Sequence, residues 1–447
     1  MRFFTEELKR LKNAQKLIEE YSGHQLGVNK KRELVRLFYE ISKREDIVPQ
    51  RIASQTEHVA YRPLKKYLLE RRFPEAVRDK DSLKPFLPSI KLSRDLCADT
   101  KSKKFAPKKI YVEDGVQKTF LAQRFKAFFP KARVSAIPSL KQFLKDHQRS
   151  SIKEYNRRRD IVFIVGQYHD FFKRCPCTKG ARGCGYHIFN LGFGCIFDCT
   201  YCYLQAYTNV PGMIFPANIE DYFDQFSSYK RSGMRLGTGE FSDSLMLDSV
   251  VEYSKPIIDF FNGHQDVVFE FKTKSTNIGY LLSAKHSGNI VVSWSLNPQT
   301  IIDENEFFSA SLRERLDAAS QCAQAGYKIG FHFDPVIYFN GWQKAYGEVI
   351  DQLMAAVDLE RIAWISLGTF RFGPSLKQVI EARFPANKIL NGELLYGYDN
   401  KLRYPNVIRA KIYKFMLDRL KSYSEKIPVY LCMEDTKMVK ELRADCL

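Results

Sequence analysis

Apolar positions recur every three to four residues through the first eighty residues, the period of packed helices. Leu8, Leu11, Leu17, Ile18 and Tyr21 form one stripe; Thr5 can cap this helix, with Glu6 and Glu7 in its first turn and Gly23 as a stop. Asn29 can cap a second helix with Leu34, Leu37, Phe38 and Ile41 on one face. A third is expected from about Pro49 to His58, and a fourth after Pro63 with Leu64, Tyr67 and Leu68. Such a bundle is either a helix-turn-helix reader or a plain packing domain, and periodicity does not separate the two. Residues 81–108 are rich in Pro, Ser, Lys and Asp, lack a period, and read as a linker.

From Lys109 the pattern becomes short apolar runs alternating with amphipathic segments. Strands are expected at residues 161–165, 267–271, 290–295, 328–333 and 362–368. Helices are expected between them at residues 218–228, 311–325 and 342–356. This alternation predicts an α/β chain with a parallel sheet or barrel, whose chemistry sits at the C-terminal ends of the strands. The implied organisation is a helical domain over 1–80, a linker over 81–108, an α/β entry region over 109–190 and a barrel with its C-terminal segment over 191–447. No internal repeat or low-complexity tract interrupts it.

The chain has 447 residues, 45% hydrophobic and 14% aromatic, which excludes a disordered chain and a small disulfide scaffold. No apolar run is long enough for a membrane span, and the N-terminus lacks an apolar signal region. Ten cysteines without an export signal point to the cytoplasm, where clustered thiols serve as metal ligands or redox groups. The formal net charge is +19. Residues 1–160 hold 39 basic and 20 acidic side chains, so they carry the whole excess; the remainder holds 31 of each. Lys30-Lys31-Arg32, Lys103-Lys104, Lys108-Lys109 and Arg157-Arg158-Arg159 carry it. A field segregated in this way points to a polyanionic partner, nucleic acid, although any single run is ordinarily a solvated face.

The sharpest chemical feature is Gly194-Cys195-Ile196-Phe197-Asp198-Cys199-Thr200-Tyr201-Cys202-Tyr203, a C-x3-C-x2-C loop. Three thiolates on one tight loop bind three corners of a cubane cluster and leave the fourth iron to a chelating small molecule. A zinc knuckle would want a fourth Cys or His at close spacing. The spacing resembles that of radical S-adenosylmethionine (SAM) enzymes. Cys199-Thr200-Tyr201-Cys202-Tyr203-Leu204-Gln205 further resembles the Cys-x-Tyr-Cys-Tyr-Leu-Gln stretch of spore photoproduct lyases. Ser242-Asp243, Thr273-Lys274, Ala284-Lys285-His286-Ser287-Gly288, Ser295-Leu296-Asn297, the run from Ala325-Gly326-Tyr327 to Pro335, and Gly341-Trp342 follow in the family's order. The similarity spans about residues 109–432.

The resemblance implies a partial (β/α)6 TIM-like radical SAM barrel with an N-terminal all-helical domain. It implies a [4Fe–4S] cluster on Cys195, Cys199 and Cys202, with SAM as the second cofactor. Ser242, Asp243, Lys274 and Ser295 would line the SAM pocket, Lys274 near the ribose and carboxylate. Gly237-Thr238-Gly239-Glu240 resembles the stretch that meets the SAM ammonium in other radical SAM enzymes, and Tyr201 is also counted at the pocket. Tyr201 and Tyr203 match tyrosines of a hydrogen-atom relay, although Tyr203 can equally be aromatic packing. In the family, a 5′-deoxyadenosyl radical abstracts hydrogen from an ultraviolet thymine–thymine adduct in DNA, a carbon–carbon bond breaks, and a cysteine returns a hydrogen. An electron donor of flavodoxin or ferredoxin type is implied as a partner.

This chain departs from the pattern twice. Glu240 occupies the position of the hydrogen-donating cysteine, and a carboxylate cannot donate a hydrogen atom as a thiol does. Asp334 replaces an apolar residue. Cys432 is a conceivable substitute donor, against the plainer reading of a core thiol. Cys175, Cys177 and Cys184, with His187 nearby, could hold a second metal, although C-x-C followed by x6-C fits no standard knuckle. Cys97, Cys322 and Cys446 read as inert. Arg403-Tyr404 and the basic residues around Lys411 could touch DNA. The leading expectation is repair or modification of a thymine lesion in DNA. The alternatives are radical chemistry on RNA, a peptide or a small molecule, and a non-catalytic iron–sulfur protein that binds or senses nucleic acid.

Overall fold

The structure is a computed structural model that describes residues 2–22, 26–57, 60–80, 83–101, 104–147, 151–178, 180–181 and 183–442. Gly23, His58, Lys103 and Cys446 lie outside the described residues. No helix among the described residues is long and apolar enough to cross a membrane.

Five helices open the chain: α1 (Arg2–Ser22), α2 (Val28–Glu45), α3 (Pro49–Ala53), α4 (Tyr61–Arg72) and α5 (Pro74–Arg78). Thr5 lies inside α1, which already starts at Arg2, and Gly27 rather than Asn29 is the residue before α2. Pro49 and Pro74 stand at first helical positions, where the missing N–H costs nothing. Leu11, Ile18, Leu34, Leu37, Phe38 and Leu68 belong to a core of this bundle's own.

Residues 83–101 run as an extended strap. The Lys84 carbonyl accepts from the Tyr396 amide at 3.0 Å, and Pro85 bridges Leu395. Arg36 on α2 donates to the Pro88 carbonyl at 2.8 Å. The same guanidinium, fully buried, pairs with Glu381 on the helix Pro374–Arg383. Glu40 is held by Lys377 at 2.8 Å and Arg72 at 2.8 Å, while Arg72 also donates to the Leu390 and Gly392 carbonyls. Bundle and C-terminal half thus meet through a desolvated network of three cations and two carboxylates.

The α/β part holds two main sheets. One is four-stranded and parallel, in the order 133–137, 109–113, 161–165, 213–216. The 161–165 strand therefore lies outside the large sheet. That sheet contains β1 (Phe172–Arg174), β2 (Tyr186–Phe189), β3 (Met234–Gly237), β4 (Val267–Thr273), β5 (Ile290–Ser295), β6 (Lys328–Val336), β7 (Ile362–Thr369) and β8 (Val429–Leu431). They lie side by side in chain order. β2 to β8 are parallel and β1 is antiparallel to β2. The result is a curled half-barrel. One face of each strand (Phe269, Phe271, Val292, Phe331, Leu367) joins the large core. The alternate positions, by the two-residue period of strands, form a polar inner face. There Arg235, Glu270 and His332 are linked by contacts of 2.8 and 2.7 Å. Between the outer strands β1 and β8 the chain following β1 crosses over: Ala181 bridges Asp435, and Lys401 donates to Thr178 at 2.6 Å.

Glu40→Gln removes one anion from beneath three buried cations, a change of the type that costs about 3–5 kcal/mol. Urea unfolding at pH 7 should show a loss of that order. Burial disfavours the charged carboxylate, yet Lys377, Arg72 and Arg36 hold it well below the usual range. Its stabilisation is therefore present above the ordinary carboxylate pKa and lost as pH falls below it, so the difference between wild type and variant should shrink in acid.

Candidate functional site

The C-x3-C-x2-C loop lies between the two sheets. It leaves Gly194 at φ +95°, where an added Cβ would press on Met213. The Cys202 amide donates to the Cys199 carbonyl at 3.0 Å, a tight turn that draws these two thiols together. Cys199 and Asp198 pair antiparallel with Glu306 and Phe307, and Thr200 bonds Asn305 through backbone and side chain. Between the first two thiols, Asp198 is buried and clamped by Arg383 at 2.7 and 3.0 Å and Arg158 at 3.1 Å. Arg158 also donates to the Phe197 carbonyl at 2.7 Å, and Arg383 to Gln205 and Asn156 at 2.6 and 2.7 Å. Sequence reasoning missed this clamp. Its only signal was an acidic residue in an apolar loop, which demands a cation without saying which.

Burial pushes all three thiols above the ordinary range. They lie within electrostatic reach of one another, with Arg158 and Lys274 favouring the thiolate form. Buried thiols beside fixed cations, free of disulfides, fit a resident cationic cluster. Among the described residues no three Cys, His, Asp or Glu converge on a single ion. The spread of one thiol loop over several corners suits a cluster instead.

Next to this loop, at the C-terminal ends of β3, β4 and β5, lie Ser242, Asp243, Lys274 and Ser295. Asp243 accepts from the Thr273 hydroxyl at 2.6 Å and from the Lys274 amide at 2.7 Å, and lies beside Cys195. Ser242 donates to the Leu191 carbonyl at 3.3 Å. Ser295 is buried, its carbonyl accepting from Arg315 at 2.8 Å. Lys274 places its ammonium 5.9 Å from the Tyr201 ring. The Tyr201 hydroxyl donates to Glu306, which is also held by Arg315 at 2.6 Å and Asn297 at 2.9 Å. Burial opposes ionisation of Glu306, but Arg315 and Lys274 bring its pKa to about 2. Of this support only Asn297 fell in a family-like stretch, Ser295-Leu296-Asn297; Glu306 and Arg315 were marked by no local motif.

Tyr203 donates to the backbone carbonyl of Glu240 at 2.7 Å, and the Glu240 carboxylate pairs with Lys173 of β1 at 2.7 Å. Cys432 follows β8, its amide extending the ladder to Leu367 at 2.7 Å. Arg371 donates to the Cys432 sulfur at 3.5 Å and to Asp334 at 2.9 and 3.2 Å. The second departure from the family pattern, Asp334, is therefore one partner of a half-buried ion pair. Burial pushes the Cys432 thiol up to about 12. The Cys177 amide donates to the Cys175 carbonyl at 2.7 Å, whereas His187 turns to the Tyr229 hydroxyl at 2.7 Å. The imidazole expected near a second metal is thus engaged elsewhere.

A family profile described as spore photoproduct lyase matches residues 105–394, more than half of the chain. The chain belongs to the spore photoproduct lyase family. It is 32% identical over 207 residues to the spore photoproduct lyase of Geobacillus sp. (strain Y412MC61), covering 44% of this chain and 60% of that enzyme. It is 26% identical over 295 residues to that of Bacillus subtilis (strain 168), covering 64% and 84%. A solved structure of spore photoproduct lyase complexed with dinucleoside spore photoproduct superposes with a TM-score of 0.64 at 23% identity, covering 74% of this chain and all of that one. In this spore photoproduct lyase family member, the α1–α5 bundle precedes the matched region entirely.

Arg383→Ala leaves Asp198 with one cation and opens a void in the clamp. A loss of about 3–5 kcal/mol is expected for a broken buried pair. Thermal unfolding of the cluster-free protein should show it, together with reduced iron content after reconstitution.

Proposed function

We propose that this protein is a radical SAM lyase acting on an ultraviolet thymine lesion in DNA. The observation that carries this reading is the juxtaposition of three thiols, one buried and two half-buried, with Asp243, Lys274 and Tyr201 at the strand ends, in a chain of this family. When bound, a [4Fe–4S] cluster with SAM supplies a carbon-centred radical able to abstract hydrogen. Cys195, Cys199 and Cys202 would hold the cluster. Ser242, Asp243, Lys274 and Ser295 would seat SAM, Lys274 as the cation for its carboxylate. Tyr201 is held by Glu306 and Tyr203 by the Glu240 carbonyl, so each hydroxyl proton has a fixed direction.

The remaining assignments belong to the same reading. The curled sheet is taken as a partial (β/α)6 barrel whose first two strands, β1 and β2, lie in the entry region over 109–190 and whose remainder lies in 191–447; a linker over 81–108 and a helical domain over 1–80 precede them. The basic excess of residues 1–160 supports DNA as the polyanion. A flavodoxin- or ferredoxin-type carrier in the cytoplasm would deliver the electron. A mononuclear metal at Cys175, Cys177 and Cys184 has no supporting geometry.

The test is 5′-deoxyadenosine release by the reduced, cluster-loaded protein alone, with undamaged DNA, and with DNA carrying the thymine adduct. Release stimulated by damaged DNA alone, with thymine restored, is expected. Slow release indifferent to DNA would move the chemistry to another substrate. No release from a fully loaded cluster would favour a binding or sensing role.

A further inference from the structure

Glu240 stands where the family carries a thiol, and its carboxylate is engaged by Lys173. The same edge strand brings thiols to this place. The Cys175 amide bonds the Tyr186 carbonyl at 3.0 Å, so the β1–β2 ladder continues through Cys175. Lys173 and Cys175 are two residues apart on extended backbone and face the same side, about 7 Å from each other along the strand. Cys175 stands opposite Tyr186, whose hydroxyl accepts from the amide of Gly239, the residue before Glu240, at 3.3 Å. Cys175 also lies within electrostatic reach of Tyr203, whose hydroxyl is bonded to the Glu240 carbonyl.

Cys175 is not alone. Cys177 follows two residues on, its amide donating to the Cys175 carbonyl at 2.7 Å, on the segment that crosses between β1 and β8, and the two thiols lie within electrostatic reach of each other. Cys184 and Cys432 pack on one patch with Val291, Trp364 and Tyr430. The Cys177 partner and burial keep the proton on Cys175. Cys177 is held below the ordinary thiol range by the neighbouring Cys175 thiol and, against burial, by Arg371 and Lys401. One protonated thiol and one thiolate in contact are suited to hydrogen-atom donation, because the thiolate can share the spin that donation leaves behind.

We propose that Cys175 is the hydrogen-atom donor of this protein and Cys177 its radical-stabilising partner. This rests on the lesion-cleaving reading above. The Cys175 S–H bond breaks as a C–H bond forms on the substrate radical. The unpaired electron left on sulfur is shared with the Cys177 thiolate as a disulfide radical anion. One electron then passes to an oxidised ferredoxin- or flavodoxin-class carrier, leaving a Cys175–Cys177 disulfide. An external dithiol reduces it, becoming a disulfide itself, restoring one thiol and one thiolate and releasing a proton.

The experiment uses the full-length, cluster-loaded protein and an oligonucleotide carrying the thymine adduct, in D2O. Lesion loss, 5′-deoxyadenosine, thymine yield and deuterium in thymine are followed. The wild type and a Cys97→Ala control should place one solvent-derived deuterium in thymine and accumulate the Cys175–Cys177 disulfide when external dithiol is withheld. Cys175→Ala should still consume lesion and release 5′-deoxyadenosine, with thymine yield lower by roughly tenfold or more. Cys177→Ala should give thymine without the disulfide. Adding Glu240→Cys to Cys175→Ala returns a thiol to the family's position and should recover thymine, which separates loss of the donor from loss of the fold. Undiminished thymine from Cys175→Ala would overturn the donor assignment alone. No lesion loss with the wild type would overturn the proposed function and this assignment with it.

Discussion

The buried Asp198 carboxylate between Arg158 and Arg383 is the constraint on which the rest of the structure depends. Three elements remote in sequence meet there: the thiol loop, the residue pair before the 161–165 strand, and the end of the helix Pro374–Arg383. A desolvated carboxylate must have its cations, so the loop cannot shift without breaking both pairs. The same helix carries Lys377 and Glu381 into the bundle network through Glu40 and Arg36. One helix therefore spans from the N-terminal bundle to the thiol loop by three ionic contacts, Lys377–Glu40, Glu381–Arg36 and Arg383–Asp198.

Local periodicity made much of this legible. The strands at 161–165 and 290–295 have the expected bounds, and the helix Trp342–Ala356 does as well. Ser311 caps the helix Leu312–Gln324 through a capping box, as its Ser-x-x-Glu pattern allows. Short strands were not legible. β3 and β8 are four and three residues long, and Met-Arg-Leu-Gly or Val-Tyr-Leu carries too little alternation to stand out. Nor did periodicity show that 161–165 belongs to a different sheet from the strands after it, since an apolar run marks a strand without naming its neighbours.

The thiol loop could be read because its chemistry is local: three ligands within eight residues. Its supports are not local. Glu306 and Arg315 reach Tyr201 across about a hundred residues, and Arg383 reaches Asp198 across 185. Charged residues with no stripe of their own look solvated in sequence, and only burial shows that they are paired. Cys175 and Cys432 illustrate the same limit, because strand order alone places β1 and β8 at the two edges that one segment spans.

The polar inner face of the half-barrel sets the electrostatics around those thiols. Burial, then Lys272, lowers the pKa of His332 to about 4, so the ring is neutral at physiological pH. Glu270 is ionised beside Arg235 and His332, so it can only accept. His332 Nε2 at 2.7 Å must therefore carry the proton, leaving Nδ1 bare. Arg235 and Glu270 then cancel, and this layer carries no net charge. One step along the strands stand Lys272 and Arg371 against Asp334 alone, close to Cys432. The field at Cys177 is consequently positive and comes from Arg371 of that layer together with Lys401, not from the histidine below it. A positive field favours thiolate over thiol, and it acts most on the sulfur that burial shields least, which is Cys177 rather than Cys432.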